Sequence, residues 1–204
     1  AVVAVKVNNQ IKWSWHIWVT QGAKNMGTVV MPSGAVLMDR NLGATSKTIS
    51  EIGAVGVQFQ FGRKDPFTAS ASFGTPSELL LYDLNGANPA ITAVAGPKDL
   101  AFVTANPHTF VKSQWVDWCN EDIRTWWANE NGTKTIYDPC PEGWRMPSIE
   151  AYAGIADTHF DKTVQGGHNF IYNGQSNFFA YTGYREVEGA MDATANYGTM
   201  WVNT

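Results

Sequence analysis

The chain has little charge of either sign, almost no cysteine and no long apolar run, and each shortage removes a class of function. Lys and Arg number 14 and Asp and Glu 18 among 204 residues, giving a formal net charge of −4. No run of like charge occurs, so the clustered cations of a nucleic-acid footprint are missing and nucleic acid is set aside as a partner. No apolar run approaches the ~20 residues of a membrane span, so no membrane insertion of this segment is expected. No charged-then-apolar leader opens the sequence, since Ala1 is followed directly by strand-like residues. The chain reads as a mature product or an excised piece.

The two cysteines, Cys119 and Cys140, are too few for a disulfide scaffold. They can pair with each other only if their Cα atoms come within ~7 Å, a matter of the fold. Neither has a second Cys at ligand spacing, and His16, His108, His159 and His168 are scattered, which removes the pattern of a zinc site. No His or cationic neighbour activates either thiol, so a cysteine nucleophile, and with it an enzyme, is not expected. No cofactor is expected either. Calcium is the one ion left open, through Asp157, Asp161, Asp192 and nearby carbonyls, although these match no recognised calcium loop.

What the chain does have is rings: nine Trp, ten Phe and seven Tyr, within a hydrophobic content of 44%. That is ample for a core and leaves flat aromatic surface for a ligand. Alternation predicts a hairpin of Val2–Val7 and Ile11–Thr20 across Asn8-Asn9, with Ile11, Trp13, Trp15, Ile17 and Val19 on its core face. Ala35–Met38 and Gln58–Phe61 read as further short strands, as do Phe178–Tyr184 and Gly198–Val202. Thr68–Pro107 is rich in Ala, Ser, Gly, Asn and Pro and reads as a long surface excursion, with only Ser77–Leu81 resembling a helical turn. Trp115, Trp118, Cys119, Asp122 and Trp126 fall at helical spacing, predicting an amphipathic helix over Gln114–Asn129. No internal repeat or low-complexity tract is present. The order predicts a single α+β domain with an antiparallel sheet, two short helices and long loops.

The densest stretch is Lys134–Ser148. Lys134–Tyr137 has strand character, prolines on both sides of Cys140 take the chain out of the sheet, and Gly143 permits a reversal. Trp144 offers an apolar anchor, and Ser148 is placed to cap a helix over Ile149–Ile155. Asp138, Cys140, Gly143 and Arg145 are assigned to the frame of this turn.

Five motifs in order, Trp13–Trp18, Met38–Ala44, Phe61–Phe67, Tyr137–Ser148 and Phe179–Arg185, resemble the C-terminal domains of Bacteroidetes fimbrillin-like surface proteins and the related major paralogous domain family. The resemblance covers the chain except Thr68–Ser113. It implies a C-type-lectin-like fold and a cell-surface or pilus-tip adhesin with a carbohydrate or protein ligand. The same architecture occurs in formylglycine-generating enzymes, which need a reactive cysteine pair, and in retroelement-diversified ligand-binding proteins. Members of the family continue past a motif like Tyr197–Thr204 to a late cysteine, the natural partner there for the residue matching Cys140; this chain has no such cysteine. Two further readings follow from the resemblance. One is a structural pilus subunit completed by strand addition from other pilus subunits. The other is a phage or retroelement-diversified receptor-binding protein.

Candidate sites divide in two. Asp39, Arg40 and Asn41, with Arg63 and Asp65, read as a hydrogen-bonded lock between strand ends. For ligand contact, Trp126 and Trp127 cannot share one side of a helix, so Trp127 is expected as an exposed platform beside Asn129 and Asn131. Gly167–Asn177 mixes rings and amides in the manner of an adaptable recognition loop, with His168, Asn169, Tyr172, Asn173 and Asn177 as its contacts.

Overall fold

The structure is a computed structural model that describes residues 1–192 apart from 21, 23–24, 72, 74–76 and 114–116. The expected Gly198–Val202 strand and the position of Trp115 lie outside the described residues. β1 (Val2–Val7) and β2 (Gln10–His16) form the expected antiparallel hairpin. Asn8 and Asn9 between them take φ of 51° and 60°, the left-handed pair that a two-residue hairpin turn requires.

The other strands pair mostly with sequence neighbours. β3 (Thr28–Val30) joins β4 (Val36–Met38), β5 (Val57–Gln58) joins β6 (Phe67–Thr68), and β7 (Ser70–Ala71) joins β8 (Ser77–Glu78). β9 (Thr92–Ala95) and β10 (Thr109–Lys112) run parallel, with α1 (Leu100–Ala105) in the crossover. Asp99 caps that helix, accepting from Phe102 N–H at 2.7 Å. β11 (Phe160–Asp161), β12 (Gly167–Tyr172) and β13 (Gln175–Ala180) form a three-stranded sheet, and β14 (Tyr184–Arg185) pairs with β15 (Met191–Asp192).

This corrects the expected fold class. In place of a C-type-lectin-like domain with one antiparallel sheet and two short helices, the described residues form small, separate sheets, one of them parallel, and one six-residue α-helix. The Gln114–Asn129 helix is absent over its described part because its rings are wanted in different directions. Only Ile123–Thr125 makes a 3₁₀ turn, started by Asp122, which accepts from Arg124 N–H at 3.1 Å. The chain then leaves helical geometry, so that Trp126 packs on Trp118 (ring centroids 5.6 Å) while Trp127 packs on Phe61 (5.0 Å). After Ser148 there is only a 3₁₀ turn, Ile149–Tyr152, without a side-chain cap; Gly154 at φ 79° ends it. Lys134–Tyr137 gives a single bridge, Ala128 to Lys134, and Ser77–Leu81 contributes a strand where a helical turn was expected.

Ile11 and Trp13 stay half-buried on the face expected of β2, with Lys12 exposed between them, but burial switches to the other face from Ser14 onward. Ser14 is buried, whereas Trp15, Ile17 and Val19 are exposed. The cause is Ser14's partner: its hydroxyl donates to Asp65 at 2.6 Å, and Lys64 Nζ reaches the Ser14 carbonyl at 3.0 Å and both Asp65 oxygens at 2.8 Å. Lys64 also lies 4.5 Å from the Trp13 ring centroid.

Among the described residues three apolar clusters form the interior. β13 divides two of them, with Phe178 and Ala180 in one beside Val55 and Ala69, and Phe179 turned to another built on Val29, Met31 and Phe170. The third gathers Val103, Val111, Trp118, Ile123 and Trp126. Both cysteines are buried and free, which corrects the possible Cys119–Cys140 disulfide. Burial raises both thiols above their usual range.

Three outcomes are expected. Asp65→Ala strands the buried Lys64 ammonium and costs about 3–5 kcal/mol, read as a lower urea midpoint. Burial, then the nearby amino terminus, pushes His16 down to about 4 against the pull of Asp65. Below pH 6.5 the unfolded chain therefore binds a proton that the native chain refuses. The penalty is nil above pH 6.5 and grows to roughly 3 kcal/mol as pH falls to about 4; His16→Gln removes it, as urea titrations across that window will show. With an aromatic disulfide reagent at pH 8, both thiols react only after denaturant is added.

Candidate functional site

An open cleft of about 750 Å³ lies among β4, the Trp144–Pro147 stretch and the chain from Phe179 to Val187. Its size suits a ligand of several rings. Apolar side chains such as Leu37, Phe61 and Phe179 line it, and four larger amphipathic rings join them: Trp144, Tyr152, Tyr181 and Tyr184. Arg40, Asn41, Gln58 and Arg145 bring hydrogen-bonding groups to the same space.

Local structure places each of these. Asp138 organises the Pro-Cys-Pro turn: its carboxylate is fully buried, with Oδ1 accepting from Cys140 N–H (2.8 Å) and Lys134 Nζ (3.1 Å) and Oδ2 from Met146 N–H (2.9 Å). Gly143, at φ 83°, makes the reversal Pro141–Trp144, in which Trp144 N–H donates to Pro141 O at 3.1 Å. Arg145 donates to the Gly132 carbonyl and is exposed. Trp144 and Arg145 are thus presented by a turn clamped at both ends.

Elsewhere in the lining, Tyr181 N–H donates to Gly166 O at 2.8 Å, and its hydroxyl lies 2.8 Å from His168 Nε2. Tyr184 donates to Asp192 at 2.9 Å. Burial pushes the Tyr152 hydroxyl up to about 12, with Cys140 adding to the shift. Burial also lowers His168 and raises Tyr181, so both members of that pair stay uncharged near neutral pH and the phenol is not activated as a nucleophile.

The two expected polar groups form separate networks. Asp39 accepts from Arg40 Nε at 2.8 Å and pairs with Lys47 at 3.0 Å. Burial pushes this carboxyl up, but the hydrogen bonds from Arg40 and Lys47 outweigh it and hold the group below the usual range. Asn41 donates to the carbonyls of Val55 and Ala180, both at 3.1 Å. Arg63 does not bond Asp65; it donates to Gln60 Oε1 and to the carbonyls of Asn106, Pro107 and Thr109, over the rings of Phe67 and Trp118.

Of the expected ligand contacts, only His168 lines the cleft. Trp127 is 1% exposed and donates its indole N–H to Arg63 O at 3.0 Å, so it is no platform. The Gly167–Asn177 loop is the paired hairpin β12–β13, turning at Asn173-Gly174 with φ of 48° and 75°. Asn169 pairs with Phe178 across it, Tyr172 packs on His159, and Asn173 sits exposed in the turn. Asn177 is buried and donates to Asp39 O at 2.8 Å. The missed residues, Trp144, Tyr152, Tyr181 and Tyr184, carried no polar motif in sequence. Tyr181 and Tyr184 were signalled by the run of rings from Phe178 to Tyr184 and Trp144 by its place as the apolar anchor of the proline turn, while Tyr152 lay unremarked within the expected Ile149–Ile155 helix.

The carboxylates considered for calcium do not converge. Asp157 pairs with Lys162, Asp161 accepts from Thr163, and Asp192 accepts from Tyr184. Among the described residues no three His, Cys, Asp or Glu side chains gather where they could hold a metal, and no helix is long and apolar enough to cross a membrane. Compared with known protein families, characterised proteins and solved structures, the chain matches none.

Proposed function

We propose that the chain is a non-enzymatic recognition domain of a cell-surface or pilus protein, and that it binds an oligosaccharide in the cleft. The carrying observation is the cleft's composition: Trp144, Tyr181 and Tyr184 beside Asn41, Gln58 and Arg145. Sugar rings offer apolar C–H faces to such aromatic surfaces and hydroxyls to amide and guanidinium groups. Both walls hang from tight hydrogen-bonded turns, which limits the ordering cost of binding. The protonated thiols and the uncharged His168–Tyr181 pair favour passive contact over covalent chemistry.

A glycan array run beside a host-protein array, followed by calorimetry on the strongest hit, tests this reading. Trp144→Ala and Tyr181→Ala are each expected to weaken glycan binding at least tenfold, about 1.4 kcal/mol. Leu84→Ala, on the exposed excursion, leaves it unchanged. Absence of any glycan hit, or equal affinity in all three variants, rejects the cleft as the site.

A further inference from the structure

Among the described residues β1 pairs with β2 on one side only, and all six of its residues are exposed. Ala1 and Ile17 exchange reciprocal backbone bonds of 2.9 and 2.7 Å. That pair sets the alternation: Ala1, Val3 and Val5 turn their N–H and C=O toward β2, so those of Val2, Ala4 and Lys6 point outward. The irregularity between Val5 and Lys6 places its extra residue, Lys12, on β2, leaving the outer side of β1 continuous.

Edge strands ordinarily refuse partners through charge, proline or a bulge of their own. β1 is Val-Val-Ala-Val-Lys-Val and has only Lys6 for this purpose. The face that Val3 and Val5 share with Trp15 is also uncovered, these residues being 52, 43 and 49% exposed.

We propose that this edge is a homodimer seam, in which β1 of a second copy adds antiparallel about a two-fold axis through Ala4. The strand is self-complementary in that register. Val2 faces Lys6 of the second copy, Ala4 faces its own counterpart, and Lys6 faces Val2. Every outward N–H and C=O of the strand then meets a matching group. Val3 meets Val5 of the second copy in the closer, non-hydrogen-bonded pairs, extending the apolar face across the seam. The charge pattern fits a second copy as well, because the two Lys6 ammonium groups are held apart, each with its stem along a valine. A two-fold through Val5 brings only Ala4 and Lys6 into bonding pairs and leaves Val2 unsatisfied. One strand edge buries less than the ~1,200 Å² of a standard interface, so the dimer is weak and concentration-dependent.

Sedimentation equilibrium over a concentration series tests the seam, with circular dichroism and thermal melting as controls for folding. The wild-type chain is expected to show reversible monomer–dimer exchange. Ala4→Pro removes an outward N–H that β2 does not use, and weakens the dimer at least tenfold. Val2→Glu places a carboxylate opposite Lys6 of the second copy at both ends of the seam, and tightens the dimer several-fold at low salt. That second variant decides the matter if the proline variant fails to fold. A monomer at every concentration overturns the proposal, as does a dimer that Val2→Glu leaves unchanged or weakens. A dimer insensitive to Ala4→Pro but lost in Trp15→Ser overturns it in favour of packing through the open face.

Discussion

A buried guanidinium holds the middle of this molecule. Arg63 donates to three backbone carbonyls of the Asn106–Thr109 turn and to the Gln60 amide oxygen, while its own carbonyl accepts the indole N–H of Trp127. Burial pushes it down to about 10, with Asp65 opposing, and it is still charged near neutral pH. Small sheets leave many edge groups unpaired, and a buried unpaired carbonyl is costly. The chain answers with long polar side chains that reach from one sheet to the next. Gln60 exchanges both of its amide groups with Val111, donating at 2.9 Å and accepting at 3.2 Å. Gln58 reaches Thr182 O at 2.8 Å, and Arg185 reaches the Thr68 carbonyl at 3.1 Å.

The cleft follows from this mode of construction. Sheets joined by side chains stand farther apart than sheets joined by a common ladder, and apolar rings between them are only partly covered. Asn41 and Gln58 serve the frame with their N–H groups while bordering the cleft, so the same residues fix its walls and define its polarity. Trp144 and Arg145 are independent of those sheets, carried by the Asp138 turn. The lining of the cleft thus draws on parts of the chain that are braced separately.

What sequence revealed was local, and what it hid was the long-range polar bonding. Asn8-Asn9 with valines on one side marks its hairpin through backbone preference alone, and the proline pair around Cys140 marks its turn in the same way. Asn173-Gly174 carried an equally plain hairpin signal, overshadowed by the surrounding amides and rings. Helical spacing over Gln114–Asn129 misled because the period of tryptophans reports burial, and the packing of Trp118 on Trp126 is met by an irregular chain as well as by a helix. Likewise the alternation in β2 was real, but its direction held only through Trp13. A serine held by Asp65 and Lys64, fifty residues on, drew the other face inward from Ser14 onward, and no local pattern contains that pairing. His168 reached the cleft through β12, whereas Trp127 and Asn177 were absorbed as donors to distant carbonyls.

A strand ladder tolerates change at any one rung because its neighbours hold the spacing. A side-chain strut such as Gln60 or Asn41 has a fixed length, and shortening or lengthening it by a single methylene swings a whole sheet relative to its neighbour. Tolerance to drift is therefore inverted in this frame: its aliphatic filling can be exchanged for material of similar volume, while its amides and guanidinium groups are the parts that admit no substitute.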